Sequence, residues 1–350
     1  MEVLSYQCPN CGAPLEFNTE PQNWDCKFCL SSFTLEDLED FDKKQQKEEE
    51  EEEEQQAEEG AKKCYYCPNC GAELVTDEST VATFCTFCGN PSVLTKELDG
   101  EFQPERLIPF QINKEQAQEE LYRLCRKKPL LPKDFTDKAH IEKVSGIYVP
   151  FWLSDCYVDA SVEGTGEIVK TWRRGDTQYT KVSVYRLERS GALTYHNLPT
   201  DASRKMDDKM MDALEPFSYR QLRKFHTGYL SGYFAQRYDV GKEESQQRIK
   251  ERIEKSAEEK LRNSCMGYSS VQITSKNVDI LKSQQQYVML PVWLLYTKYK
   301  EKDYLFAING QTGKMVGDLP MSIPKIFAFA GLITAITTIL GTIGGLLLCC

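Results

Sequence analysis

The chain has 350 residues, 41% apolar and 11% aromatic, which allows two or three domains with one sizeable core and excludes a disordered or fibrous polypeptide. The net charge of −10 is local, because residues 36–60 hold fourteen acids and three lysines and leave 39 acids and 40 bases elsewhere. There are fourteen cysteines, eight of them in Cys-x-x-Cys pairs, and no apolar leader follows Met1. That excludes a small secreted disulfide scaffold and points to a reducing compartment and to metal.

Taken in chain order, residues 1–33 form the first cysteine unit, with Cys8, Cys11, Cys26 and Cys29 as metal ligands. Residues 34–63 form an acidic linker, with Glu48 to Glu54 unbroken, that reads as a solvated spacer or as bait for a basic partner. Residues 64–98 repeat the first unit with a shift of 59, giving Cys67, Cys70, Cys85 and Cys88. Both units open Cys-Pro-Asn-Cys-Gly-Ala, place 14 residues before the second pair, and carry a phenylalanine in the second loop (Phe28, Phe87). Two such knuckles turn four thiolates onto one ion, so the pattern predicts two four-cysteine zinc ribbons holding two Zn2+. With every position filled by cysteine there is no open site for water, and the role is structural. Glycine follows the knuckle at Gly12, Gly71 and Gly89 and supplies the positive φ needed there; Leu30 departs from this. Cys64 is a spare thiol that permits another register, while Cys125, Cys156 and Cys265 read as buried small hydrophobes.

Residues 99–322 read as an α+β body, an antiparallel sheet plus helices. Apolar spacing predicts helices over 114–127, 203–214 (opening at Ser203) and 242–263, the last with Ile249, Ile253, Ala257 and Leu261 on one face. Strand-like runs lie at 147–153, 157–163, 166–172, 179–187, 270–274, 287–297 and 303–308, and Asn309-Gly310 marks a tight turn. A Pro-centred apolar phrase recurs at Pro109, Pro150 and Pro291; the runs read as aromatic core strands, proline lacks a ladder donor and so belongs at strand starts or edges, and a duplicated half-domain is a further alternative. Residues 323–350 form a predicted membrane-spanning tail anchor. Ile326 to Leu348 is 23 residues without a charge, about 34 Å of helix against a hydrocarbon core of about 30 Å. Lysines upstream and none beyond predict a single-pass protein in the cell membrane with its N-terminal bulk in the cytoplasm. A stripe of Gly331, Ala335, Thr338, Thr342 and Gly345 suits helix–helix association.

No catalytic constellation is legible. His140, His196 and His226 are far apart, and 310–315 lacks the glycine spacing of a phosphate loop. Asp207, Asp208 and Asp212 read as solvated surface. Nucleic acid is disfavoured as a partner of the ribbons, because residues 1–35 sum to −3 and 61–98 to −1.

The chain resembles the bacterial TFIIB-type zinc-ribbon membrane proteins found in Firmicutes. The resemblance rests on Cys-Pro-Asn-Cys-Gly and its partner pair, Val149 to Leu153, Lys205 to Asp208, Glu215 to Phe217, Leu290 to Leu294, Asn309 to Lys314 and Gly317 to Pro320. It implies a membrane anchor that recruits SPFH-domain and phage-shock-type envelope-stress proteins, and the family has no established enzyme activity to carry over. The expected function is thus a membrane-anchored zinc-ribbon adaptor docking cytosolic partners. The alternatives are a membrane-tethered nucleic-acid-binding regulator, or an enzyme with its site in the α+β body.

Overall fold

Six of the seven runs expected as separate short strands fall within three long ones, and the seventh, 303–308, stays separate. The computed structural model describes residues 6–40, 64–66, 73–75, 80–84, 91–93, 102–132, 135, 141–300 and 302–349; the side chains of 64–66, 73–75, 91–93, 141–142, 332, 336 and 339–349 lie outside that description. The first cysteine unit is a three-stranded sheet of β1 (Leu15–Asn18), β2 (Asn23–Cys26) and β3 (Ser32–Phe33), followed by α1 over 35–40. Next come β4 (Cys64–Tyr66), β5 (Glu73–Val75), β6 (Thr80–Phe84), β7 (Pro91–Val93) and β8 (Arg106–Leu107). Helix α2 (Lys114–Arg126) is closed by an Asn113/Gln116 capping box and precedes the hairpin of β9 (Ile141–Arg174) and β10 (Thr177–Asp201). After α3 (Asp208–Ala213), β11 (Arg223–Lys224), β12 (Phe234–Gln236) and α4 (Lys242–Asn263), the chain adds β13 (Ser270–Tyr299), β14 (Lys302–Asn309), β15 (Met315–Gly317) and α5 (Ile323–Cys349).

Two expectations of fold class are corrected. The body is dominated by sheet rather than balanced between helix and strand, since β9, β10 and β13 alone run for 34, 25 and 30 residues. Bulges at Tyr195/Leu198, Ile273/Ser275 and Ile280/Lys282 absorb the polar and glycine interruptions that would otherwise end them. The second correction concerns the tail. Among the described residues, no helix is long and apolar enough to cross a membrane. A span needs about twenty consecutive apolar residues. The described side chains of α5 end at Thr338, about 24 Å from its start, and the rest of the apolar run lies outside the described side chains. The tail anchor, the lipid bilayer as partner and the cell-membrane location are therefore withdrawn.

Burial along β9 follows its sequence. Ile147 to Ser154 is buried on both faces, and this is where the sequence is continuously apolar. From Asp155 to Val162 burial alternates, with Cys156, Val158, Ala160 and Val162 inward under Ile249, Ile253, Ala257 and Leu261 of α4. The 22 residues of α4 span about 33 Å, the length of ten strand residues. The helix therefore covers β9 to about Val162 and no further.

The phrases around Pro150 and Pro291 are core strands, with the prolines inside them and not at strand starts or edges. Pro150 and Pro291 lie inside central strands that pair with each other, Pro150 opposite Met289 and Pro291 opposite Tyr148. On its other side β9 pairs with β12 through Tyr148 and with β10 from Phe151, so Pro150 occupies the gap between two neighbours. Pro291 likewise falls between the part of β13 that pairs with β8, up to Met289, and the part that pairs with β14, from Val292. No donor is needed at either gap.

The turn after β14 is as expected, and β14 pairs with β15 across it. Asn309 is fully buried, donates from Nδ2 to the Leu214 and Pro216 carbonyls, and accepts from the Gln311 and Thr312 N–H groups. Asn309→Ala strips partners from several buried groups and should cost about 2–3 kcal/mol in urea unfolding.

Candidate metal centre

The first knuckle is built by backbone bonds. The Cys11 and Gly12 N–H groups donate to the Cys8 carbonyl at 3.2 and 2.8 Å, and Gly12 takes φ 72°. In the second, the Leu30 N–H donates to the Cys26 carbonyl at 3.0 Å. Cys26 lies on β2 opposite Leu15, which ties the two knuckles together through the β1–β2 pair.

All four ligand sulfurs, of Cys8, Cys11, Cys26 and Cys29, lie within 4.8 Å of one another, and this group could hold one metal ion. The Cys8–Cys29 and Cys11–Cys26 sulfurs are 3.4 and 3.5 Å apart, close to the roughly 3.8 Å of a tetrahedral S4 site with bonds of about 2.3 Å. Cys8 and Cys26 are buried, whereas Cys11 and Cys29 are exposed. Cys67, Cys70, Cys85 and Cys88 lie outside the described residues, as does the side chain of Cys64.

The thiols are electrostatically frustrated without a cation. The Ser31 hydroxyl and N–H, and then the Cys8 thiol, bring Cys29 down to about 6. Cys8 is raised, chiefly by burial and also by Cys29, although the Asn10 N–H opposes this. At Cys11 the Ala13 N–H favours the thiolate but is outweighed by Cys29, burial, Cys26 and Cys8, which push it up to about 12. One thiolate forms readily while Cys8 and Cys11 are held protonated; a bound cation would relieve that repulsion.

The unit is docked on the body. Phe17 and Trp24 share a face of the β1–β2 pair and meet Tyr229 at ring distances of 5.2 and 5.1 Å, and Trp24 Nε1 donates to the Gly228 carbonyl at 2.8 Å. The acidic linker also begins less solvated than expected. Thr34 and Asp37 cap α1, and Leu38 is buried beside Gly228; residues 41–63 lie outside the described residues.

The chain resembles a known protein along nearly its whole length. The uncharacterized protein YdjG of Bacillus subtilis (strain 168) is 35% identical over 331 residues, 94% of each chain. The chain belongs to the YdjG family. No family model and no solved structure matches it.

The departure at Leu30 is visible in this YdjG-family chain. Leu30 adopts φ 59° without being glycine, and its side chain is 85% exposed. The left-handed region costs a non-glycine residue on the order of 1–2 kcal/mol, and burial recovers none of it here. Leu30→Gly should therefore raise the unfolding free energy of the metal-loaded protein by about 1 kcal/mol, read as a higher urea midpoint.

Several of the remaining candidates have structural partners. His226 Nδ1 accepts from the Gly228 N–H, His196 is exposed, and His140 lies outside the described residues. Cys125, Cys156 and Cys265 are buried, as expected. Of the aspartates read as solvated surface, Asp207 and Asp208 are exposed and Asp212 is half-buried, and all three also have partners. Asp207 caps α3, while Asp208 and Asp212 pair with Arg248 of α4, and Asp212 also with Arg252. Two clefts of about 730 and 600 Å³ lie beside Arg220 and Gln285. Asp201 and Glu215, whose carboxyls burial raises, line neither.

Proposed function

We infer that this protein is a zinc-knit docking adaptor. The first unit holds Zn2+ through Cys8, Cys11, Cys26 and Cys29, and its sequence twin holds a second through Cys67, Cys70, Cys85 and Cys88. A tetrahedral sulfur set suits zinc or iron, and a colourless protein with about two zinc ions per chain separates them. The observation that carries the docking role is Leu30, held in a strained backbone conformation with its side chain in solvent beside Phe28, itself 74% exposed. Strain without compensating packing points to a use for the side chain. Two exposed apolar side chains on a rigid knuckle fit a pocket on a protein partner. The resemblance noted above nominates SPFH-domain or phage-shock-type proteins.

The test places a photo-crosslinking residue at Ser32 and captures partners with the full chain, with the Phe28→Ser/Leu30→Ser variant and with Leu30→Gly. A partner caught by the parent and lost by the double variant, zinc content unchanged, then binds the purified parent by calorimetry at least tenfold more tightly than the double variant. Capture that ignores both substitutions sinks the docking role.

A further inference from the structure

Past the end of α4 the β9–β10 hairpin keeps going. β13 leaves it at Ser270, opposite Glu167, so the last seven residues of β9 pair with β10 alone. This ribbon is about 23 Å long at strand rise, and positions 169–182 are exposed on both faces. It turns at Gly175, which has φ 59°. Trp172 and Tyr179 sit opposite each other with centroids 5.7 Å apart and planes inclined by 14°, yet remain 49% and 45% exposed. Two residues nearer the body on the same face, Lys170 stands directly opposite Lys181. Like charges so placed disfavour the pair unless an anion comes between them. Arg173 and Arg174 follow next to the turn, and Asp176 is the one acid from 168 to 186. Lys170, Arg173, Arg174 and Lys181 have no ion pair among the described residues, whereas Arg186 is held by Glu163.

We propose that the tip of the β9–β10 hairpin binds single-stranded nucleic acid, with bases stacking on Trp172 and Tyr179 and phosphates meeting Lys170, Lys181, Arg173 and Arg174. An acidic peptide would use the cations and leave the exposed ring pair without a role. A nucleotide strand uses both, because every base offers a π face beside a phosphate. The acidic overall charge does not describe the ribbon, where residues 168–186 carry five cations against one acid. The site is carried by β9 and β10 and is independent of the Phe28/Leu30 knuckle.

The test is fluorescence anisotropy with a labelled twenty-nucleotide oligothymidylate and oligouridylate, using the full metal-loaded chain. Four neutralised phosphates predict about a 50-fold loss of affinity between 50 and 200 mM salt. Lys170→Glu/Lys181→Glu should abolish binding. Trp172→Ala should weaken it about tenfold while Trp172→Phe restores it, with zinc content and thermal midpoint unchanged in each variant. No binding up to about 100 μM protein at 50 mM salt overturns the proposal. So does binding that ignores these substitutions, or capture of a glutamate-rich peptide by the same lysines with no oligonucleotide bound.

Discussion

Cys26→Ser should unfold the first cysteine unit and release one metal ion, and a strong chelator should unfold that unit as well. The unit is too small to hold itself together by burial alone, as chains below about 40 residues generally need a metal or disulfides. Its interior is little more than Leu15, Phe17, Trp24 and the two buried cysteines. Structural zinc contributes an apparent 10–16 kcal/mol in small ribbon-like peptides, far more than that core supplies. Native mass measurement should show one ion fewer for Cys26→Ser. Hydrogen exchange over residues 6–33 should rise by orders of magnitude while β9 and β13 stay protected. The pH dependence follows from the thiols. Cys29 is ionised down to about pH 6, but Cys8 and Cys11 are both raised and must lose protons to bind. Metal affinity should therefore fall at least 100-fold for each unit of falling pH near neutrality, one factor of ten per proton displaced. Affinity independent of pH, or an unchanged exchange pattern after chelation, would show that the four cysteines do not hold the unit together.

Arg248→Met should cost about 3–5 kcal/mol, the largest effect expected of a substitution outside the metal centre. Arg248 pairs with Asp201 at 2.7 Å, Asp208 at 3.0 Å and Asp212 at 3.1 Å, and the Asp201 side chain is only 1% exposed. Removing the guanidinium leaves a carboxylate in the interior with no cation beside it. The sign of the pH effect identifies the cause. Burial raises the Asp201 carboxyl, and Arg248 holds it down. Without Arg248 it rises further, so the folded state takes up a proton more readily than the unfolded chain. Such a group stabilises the fold fully below its unfolded value and loses that contribution as pH rises through the folded one. The penalty of Arg248→Met should accordingly shrink as pH falls from 7 toward 5, and Asp201→Asn in the same chain should recover part of it at pH 7. A penalty equal at both pH values in urea unfolding would mean that lost packing, not an orphaned charge, is responsible.

Local chemistry carried part of this molecule in plain view. The Cys8–Cys29 set, the spans of α2 and α4, the inward face of Ile249, Ile253, Ala257 and Leu261, and the turn at Asn309 each depend on residues a few positions apart. Spacing along the chain specifies such features directly. The ends of helices were less legible. α3 begins at Asp208 because the Asp207 carboxylate caps it, although Ser203 offers a cap of similar quality.

Tertiary structure decided what depends on neighbours distant in sequence. Pro150 and Pro291 sit inside β9 and β13 because each falls in a gap between two outer strands, and nothing within either phrase announces that gap. Asp212 is an ion-pair partner and not bare surface because α4 passes it forty residues later. Runs separated by Gly164 or Ser275 join because pairing partners bridge the interruptions with bulges. The basic ribbon was hidden for a related reason. Lys170, Trp172, Tyr179 and Lys181 are scattered among threonines and valines, and only antiparallel pairing brings two lysines and two rings onto one face. Likewise, an uncharged run at the C-terminus is a statement about composition, whereas a membrane span is a statement about a continuous apolar helical surface, which the described residues do not supply. Sequence alone determines contacts whose range is a turn or a knuckle; contacts closed by long loops depend on which distant surfaces bury each other.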